Sequence, residues 1–412
     1  MNDDPRLLDR RSLLRGATAL GGLALLPGGV RAGIRFASPP LGERSEDSNL
    51  LLVLELSGGN DGLNTVVPYG DDLYAANRQV NRIPTDGLLV LDEYRGLNPL
   101  LARHRELWDR GELAIVEGVG YPEPNRSHFT SLDIWHSASR EGRLAGSGWV
   151  GRLLGALGGS AGQPNRVVHV GQKLPYSLRH PEHPVVCFEQ PSSYRWADAR
   201  EPVEKLGSRG AGEAGGRGSN LDRLRGLVAD AAASSADVRR AVGAYRTDAP
   251  YPAGDFGRAM KTAAALFRGD VGCQVVSVAL PGFDTHENQP DRHAQLLELW
   301  DAGLGALFDD VRGTSVEPRL TVMVYSEFGR RVAENGSRGT DHGAAGPMFL
   351  AGARVRGGLH GEHPSLAELV DGDLVYGVDF RSVYASVLKD GFGVEPTAVL
   401  DAEYSTLPLF QA

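Results

Sequence analysis

Apolar positions in this chain fall into short, nearly unbroken runs. Residues 50–56, 113–119, 274–280 and 319–325 are largely apolar, and each leads into a loop rich in Ser, Gly or Pro. Runs of that length read as strands buried on both faces. Shorter runs at 166–170, 184–188 and 347–351 read the same way. Between them, 97–110, 148–157, 221–245, 256–267, 292–311 and 380–388 carry helical spacing. Buried strands alternating with helices predict an α/β fold, with a mostly parallel central sheet and helices on both of its faces. Residues 205–220 are rich in Gly, Ser and Arg, lack apolar periodicity, and read as a surface insertion.

The N-terminus has a different pattern. Arg10 and Arg11 precede Leu13, Leu14 and Arg15, and an apolar, small-residue run follows at 17–26. Pro27-Gly28-Gly29 breaks the run, and Val30-Arg31-Ala32 supplies small residues where a signal peptidase cuts. A charged region, a short apolar region and a cleavage site in that order make an export signal, here of the twin-arginine kind. The run is too short to span a bilayer, which takes ~20 residues. Residues 1–32 are therefore expected to be a signal, 33–48 a disordered lead-in, and 49–412 one domain. The twin-arginine translocase is the partner this implies, and the periplasm or the extracellular space is the destination. No later stretch is long and apolar enough for an integral membrane segment.

Charge narrows the class of ligand. The formal net charge is −9, and setting aside residues 1–32 leaves 38 basic against 49 acidic residues, or −11. Nucleic acid and anionic membranes need basic surfaces, so neither is expected as a partner. The two cysteines, Cys187 and Cys273, either pair in an oxidising compartment or stay as thiols.

Sites in open α/β sheets form beyond the carboxyl ends of the strands. The polar residues of this chain concentrate there. Asp61 follows the first long strand, Ser127 the second, Asp284 and His286 the third, and Glu327 the fourth; Asp341 and His342 precede residues 347–351. Carboxylates and imidazoles at one edge suit a divalent metal, with zinc, manganese or iron accepting mixed ligands and calcium or magnesium preferring oxygen. Each residue also has a structural reading. Asp61 could serve a turn, Asp284 and Ser127 could cap helices, and Glu327 could pair with Arg330 or Arg331. Asp341 and His342 could be an exposed loop pair. No Gly-x-Gly-x-x-Gly opens a helix after the first strand, so dinucleotide binding has no support.

Six segments recur as a set in one family. They are Leu-Ser-Gly-Gly-Asn-Asp-Gly-Leu-Asn-Thr at 56–65, Asn-Arg-Ser-His-Phe at 125–129, Gly-Trp-Val-Gly-Arg at 148–152, Phe-Asp-Thr-His-Glu-Asn-Gln at 283–289, Ser-Glu-Phe-Gly-Arg at 326–330 and Thr-Asp-His-Gly at 340–343. Together they resemble the twin-arginine-exported bacterial family of domain of unknown function 1501. That family is similar to the alkaline-phosphatase-like superfamily of phosphatases, phosphodiesterases and sulfatases. The resemblance implies an alkaline-phosphatase-like fold with Asp61, Asp284, His286, Glu327, Asp341 and His342 as the metal set. It implies Ser127 as nucleophile and Arg126 as a charge partner for the transferring group. Phe328 stands where the superfamily carries a ligand histidine, which puts a standard two-metal centre in doubt. The usual sulfatase context is missing, because neither proline nor arginine follows Ser127 at the required places. The expected function is a metal-dependent hydrolase of phosphate esters, with sulfate esters second, acting on a small-molecule or polymer ester. Zinc is the leading cofactor, with manganese, calcium or magnesium as alternatives. The alternative function is an exported, catalytically inactive binding or accessory protein on the same scaffold.

Overall fold

Leu50–Ser57 (β1) is the spine of the central sheet, and its side chains divide by parity. Leu50, Leu52, Leu54 and Leu56 enter one apolar cluster, while Leu51 and Val53 enter another on the opposite face. Successive strand residues point to opposite faces, so an unbroken apolar run is what a strand covered on both sides requires.

The computed structural model describes residues 48–159, 163–192, 194, 220–269 and 271–411. The expected export signal at 1–32, the lead-in up to residue 47 and most of the 205–220 insertion lie outside those residues.

In chain order after β1 come β2 (Leu113–Gly120), α1 (His128–Ser137), α2 (Trp149–Ala156), β3 (Val167–Val170), β4 (Val186–Phe188), α3 (Asn220–Ala244), α4 (Asp255–Arg268), β5 (Val275–Pro281), α5 (Gln289–Val311) and β6 (Leu320–Tyr325). A small hairpin, β7 (Arg330–Glu334) with β8 (Thr340–His342), precedes β9 (Gly346–Ala351). β10 (Gly358–His360), a second hairpin of β11 (Leu369–Val370) and β12 (Asp373–Leu374), β13 (Val378–Asp379) and α6 (Phe380–Ser386) complete the set used below.

The sheet order is β10-β2-β9-β6-β1-β5-β3-β4, with β13 also pairing β2. β1 is parallel to β5 and β6, and β3 is parallel to β4 and β5. β9 departs from the pattern. It runs antiparallel between β6 and β2, so it begins at the edge where its neighbours end. That reversal brings the loop before β9 to the carboxyl edge of the parallel strands.

Helices α4 and α5 pack on one face, with Phe267, Leu297 and Trp300 in its core. Helices α1, α2 and α6 cover the other through Trp135, Trp149 and Tyr384. The mostly parallel α/β sheet covered on both faces is thus present as expected. The expected helix at 97–110 starts late, at Ala102, because Gly96–Leu97 pairs with Val66–Val67 in a small separate sheet. Among the described residues no helix is long and apolar enough to cross a membrane. No disulfide joins Cys187 and Cys273, and β3 lies between the strand that carries Cys187 and the strand that follows Cys273.

Candidate metal centre

Four loops meet at the carboxyl edge, and two glycines set how closely. Gly58 and Gly59, just past β1, take φ of 121° and 83°. A Cβ on Gly58 would lie 2.3 Å from the Asp284 amide nitrogen, and one on Gly59 would lie 2.4 Å from the Phe328 ring. Only glycine fits there, which lets the β1 loop lie against the loops after β5 and β6. The Gly58 amide donates to both Glu327 carboxylate oxygens, at 2.9 and 3.1 Å.

Asp284, between β5 and α5, is the hub. Three imidazole Nε2 atoms approach its carboxylate: His342 at 2.9 Å and His286 at 3.1 Å from Oδ1, and His128 at 3.4 Å from Oδ2. The buried guanidinium of Arg330 donates to it at 3.0 Å and also holds the Gly59, Phe283 and Thr340 carbonyls. Partial burial acts to raise the Asp284 pKa. Hydrogen bonds from His342 and Arg330, with the charge of Arg330, outweigh that and hold it at about 2. The carboxylate is therefore ionised at neutral pH.

Each imidazole is gripped from behind. His128 Nδ1 lies 2.8 Å from Glu327 Oε1, His342 Nδ1 2.8 Å from the Arg126 carbonyl, and His286 Nδ1 3.2 Å from Asp341 Oδ1. Those acceptors can take the Nδ1 proton of each ring, which would leave Nε2 with its lone pair for a cation; without a cation the Asp284 carboxylate accepts a proton from Nε2, as at His342. Yet the Nε2 atoms of His286 and His342 are 2.9 Å apart. Two lone pairs at that distance repel each other unless positive charge, a proton or a metal, is shared between them. The donor atoms of His128, Asp284 and His342 all lie within 4.8 Å of one another. Imidazoles fixed through Nδ1 by outer acceptors are the usual arrangement of metal-ligating histidines, and the set fits a divalent cation.

The other sequence candidates take different places. Asp61 caps the short helix Gly62–Thr65, with the Asn64 amide 3.3 Å from its Oδ1. It is closed off by Arg78 at 2.5 and 3.2 Å and by Gln289 at 2.5 Å, and both charged side chains are fully buried. Its carboxylate has a guanidinium where a ligand would have a metal. Glu327, itself buried, stands behind His128 and pairs with neither Arg330 nor Arg331. Asp341 stands behind His286 and accepts from Asn335 at 3.1 Å. The Arg126 guanidinium bonds to Asp373 through Nε at 2.8 Å, and it is its carbonyl that serves the cluster. Ser127 occupies the cap position of α1, but its exposed hydroxyl makes no capping bond. Asp284 is not a helix cap either, since α5 is capped at Asn288.

Two residues were missed in the sequence reading. Arg330 entered only as a salt-bridge partner for Glu327. His128, the first residue of α1, entered only as the residue after Ser127. Its ring centroid is 5.0 Å from that of Phe328 and 4.5 Å from that of His342. The imidazole absent at Phe328 therefore has a counterpart in space, supplied by another element. The signal was a histidine directly after a serine at a helix start, within a segment already singled out.

The chain belongs to the family described as Protein of unknown function (DUF1501), whose profile matches residues 115–391. That span includes every residue of the cluster and stops short of Asp61. No curated protein matches the chain. Among solved structures, it is similar to the C-terminal periplasmic domain of EptC from Escherichia coli, at 11% identity over 90% of this chain and 94% of that one, TM-score 0.37. It is similar to the lipoteichoic acid synthase LtaP from Listeria monocytogenes, at 10% identity over 91% and 79%, TM-score 0.38. It is similar also to the PsFucS1 sulfatase from Pseudoalteromonas sp., at 11% identity over 84% and 68%, TM-score 0.36. Overlap this slight transfers no chemistry, which rests here on the residues themselves.

Proposed function

We propose that this chain is an exported, metal-dependent hydrolase of phosphate esters, with sulfate esters a second substrate class. One observation carries the proposal: three histidines, each held at Nδ1 by an acceptor, turn their Nε2 atoms onto the single ionised carboxylate of Asp284. His128, Asp284 and His342 would hold the cation, with His286 beside them. A nitrogen-rich set of this kind favours zinc, then manganese, over the oxygen-seeking calcium and magnesium. When bound, such a cation supplies Lewis acidity at the ester oxygens and lowers the pKa of a nearby hydroxyl.

Ser127 is the nucleophile in this reading. The chain is pinned on both sides of it, by the Arg126 carbonyl bonded to His342 and by the His128 ring within the cluster. Its hydroxyl is exposed and serves no cap. The Ser127 oxygen bonds to phosphorus as the bond to the leaving alcohol breaks, and the serine proton passes through solvent to the departing alkoxide. Water then cleaves the phosphoserine and releases phosphate. First-turn amides of α1 add donors for the anion. The superfamily resemblance, with its phosphatases and phosphodiesterases, and the arginine pair near the N-terminus agree with this reading.

Elemental analysis of the purified protein tests it, with the Asp284→Ala/His342→Ala variant as comparison. About one equivalent of metal, lost in the double variant together with turnover of phosphate esters, is the expected result. No metal in the unaltered protein after incubation with zinc or manganese would sink the proposal and favour the inactive binding protein instead.

A further inference from the structure

We infer that the leaving group of the substrate is apolar, and that a preformed subsite beside Ser127 receives it. The inference rests on the hydrolase reading and adds the substrate class. A cavity of about 310 Å³ is lined by Pro124, Arg126, Ala344, Val370, Val375 and Tyr376 among others. It adjoins the site at two points. Arg126 directly precedes Ser127 and gives its carbonyl to His342, and Ala344 is two residues beyond His342.

Six large apolar side chains stand exposed among the described residues; two of them, Val370 at 63% and Val375 at 46%, line this cavity, and Phe129, 80% exposed, lies two residues past Ser127 on α1. Single exposed apolar residues mean little, but a group of them beside a reactive site marks a binding surface. Val370 belongs to the β11–β12 hairpin, and Val375 directly follows it. The hairpin is fixed in place, because the nearly buried Asp373 accepts from Arg126 at 2.8 Å and lies 3.5 Å from Arg331 Nε. The wall of the subsite is thus tied to the residue before the nucleophile.

Charge argues for the same class of occupant. Asp373 faces the guanidiniums of both Arg126 and Arg331, and Asp371 in the lining supplies a second negative charge, so the two signs balance there. A leaving group with its own phosphate or carboxylate would find no free cation there. An alkyl or aryl alcohol would cover the valines and Tyr376 and require none.

Calorimetric titration of the zinc-loaded full-length chain with methyl-, butyl- and hexylphosphonate tests this without turnover. Affinity should rise about two- to four-fold per added methylene, four-fold matching the ~0.8 kcal/mol of full CH₂ burial. In Val370→Ser/Val375→Ser, whose sites are exposed and whose Tm should not move, the dependence on chain length should flatten. Equal affinity across the series, no binding by any phosphonate, or an unchanged slope in the double variant would overturn the inference. A rising slope with no hydrolysis of hexyl phosphate would leave the subsite standing and overturn the hydrolase reading alone.

Discussion

Asp61 and Asp284 both follow a long parallel strand at the carboxyl edge of the sheet, and their surroundings separate their roles. The Asp61 side chain is fully buried, as is that of its partner Arg78, and Gln289 takes up its Oδ2 as well. The Asp284 side chain is 48% exposed and meets three imidazoles. A carboxylate closed by a guanidinium in a dry site has its charge spent on holding the chain together. One that faces three imidazole Nε2 atoms near solvent has charge to offer a cation. The end of a strand is thus only a place where chemistry is permitted. The partner that the rest of the fold sends there decides whether the residue is structural.

The sharpest way to break this contrast is Asp61→Ala. It strands the buried Arg78 charge and should cost about 3–5 kcal/mol in urea unfolding. The metal content of the remaining folded protein should not change. Loss of metal at undiminished stability would make Asp61 a ligand after all.

Acid sensitivity should come next. His293 is buried in the Asp61 region, 2.9 Å from Asn60 Oδ1, and burial pushes its pKa down to about 4. The unfolded chain takes up that proton near 6.5. Stability from the neutral ring is therefore complete above about pH 6.5 and is lost as pH falls toward 4, by up to roughly 3 kcal/mol. His169, also pushed down to about 4 by burial, adds loss of the same sign. His293→Gln should make stability less dependent on pH between 6.5 and 4, and an unaltered profile would place the acid sensitivity elsewhere.

On the open side, Glu327→Gln should weaken zinc binding about 10- to 100-fold in a chelator competition. The amide no longer fixes the His128 tautomer with a full negative charge. Undiminished affinity would mean that His128 needs no such support. The smallest effect on the fold should come from Ser127→Ala. Its hydroxyl caps nothing, so stability should stay within about 0.5 kcal/mol while turnover disappears. A large drop in Tm would show that the serine has a structural role.

The long strands were legible because burial on both faces leaves a nearly unbroken apolar run, as in 50–56 and 320–325. The short hairpins were not, since β7, β8, β11 and β12 run for only two to five residues and carry no apolar period. That Asp284, His286 and His342 reach one edge of the sheet was legible from their places beyond strands or before β9. His128 was overlooked because Ser127 beside it drew the chemical reading. The pairing of Asp61 with Arg78 was not legible, because Arg78 lies 17 residues onward, in a segment with no helical or strand signal.

The sequence by itself determined the class of fold, the segments that reach the carboxyl edge and the residue types available there. These follow from local periodicity and from turn residues, which act over a few positions. The tertiary structure alone decided that β9 runs backward, that Arg78 closes Asp61, and that an imidazole from α1 stands beside Phe328. Each of those depends on contacts between residues far apart in the chain, and such contacts leave no periodic trace because packing, not local geometry, selects them.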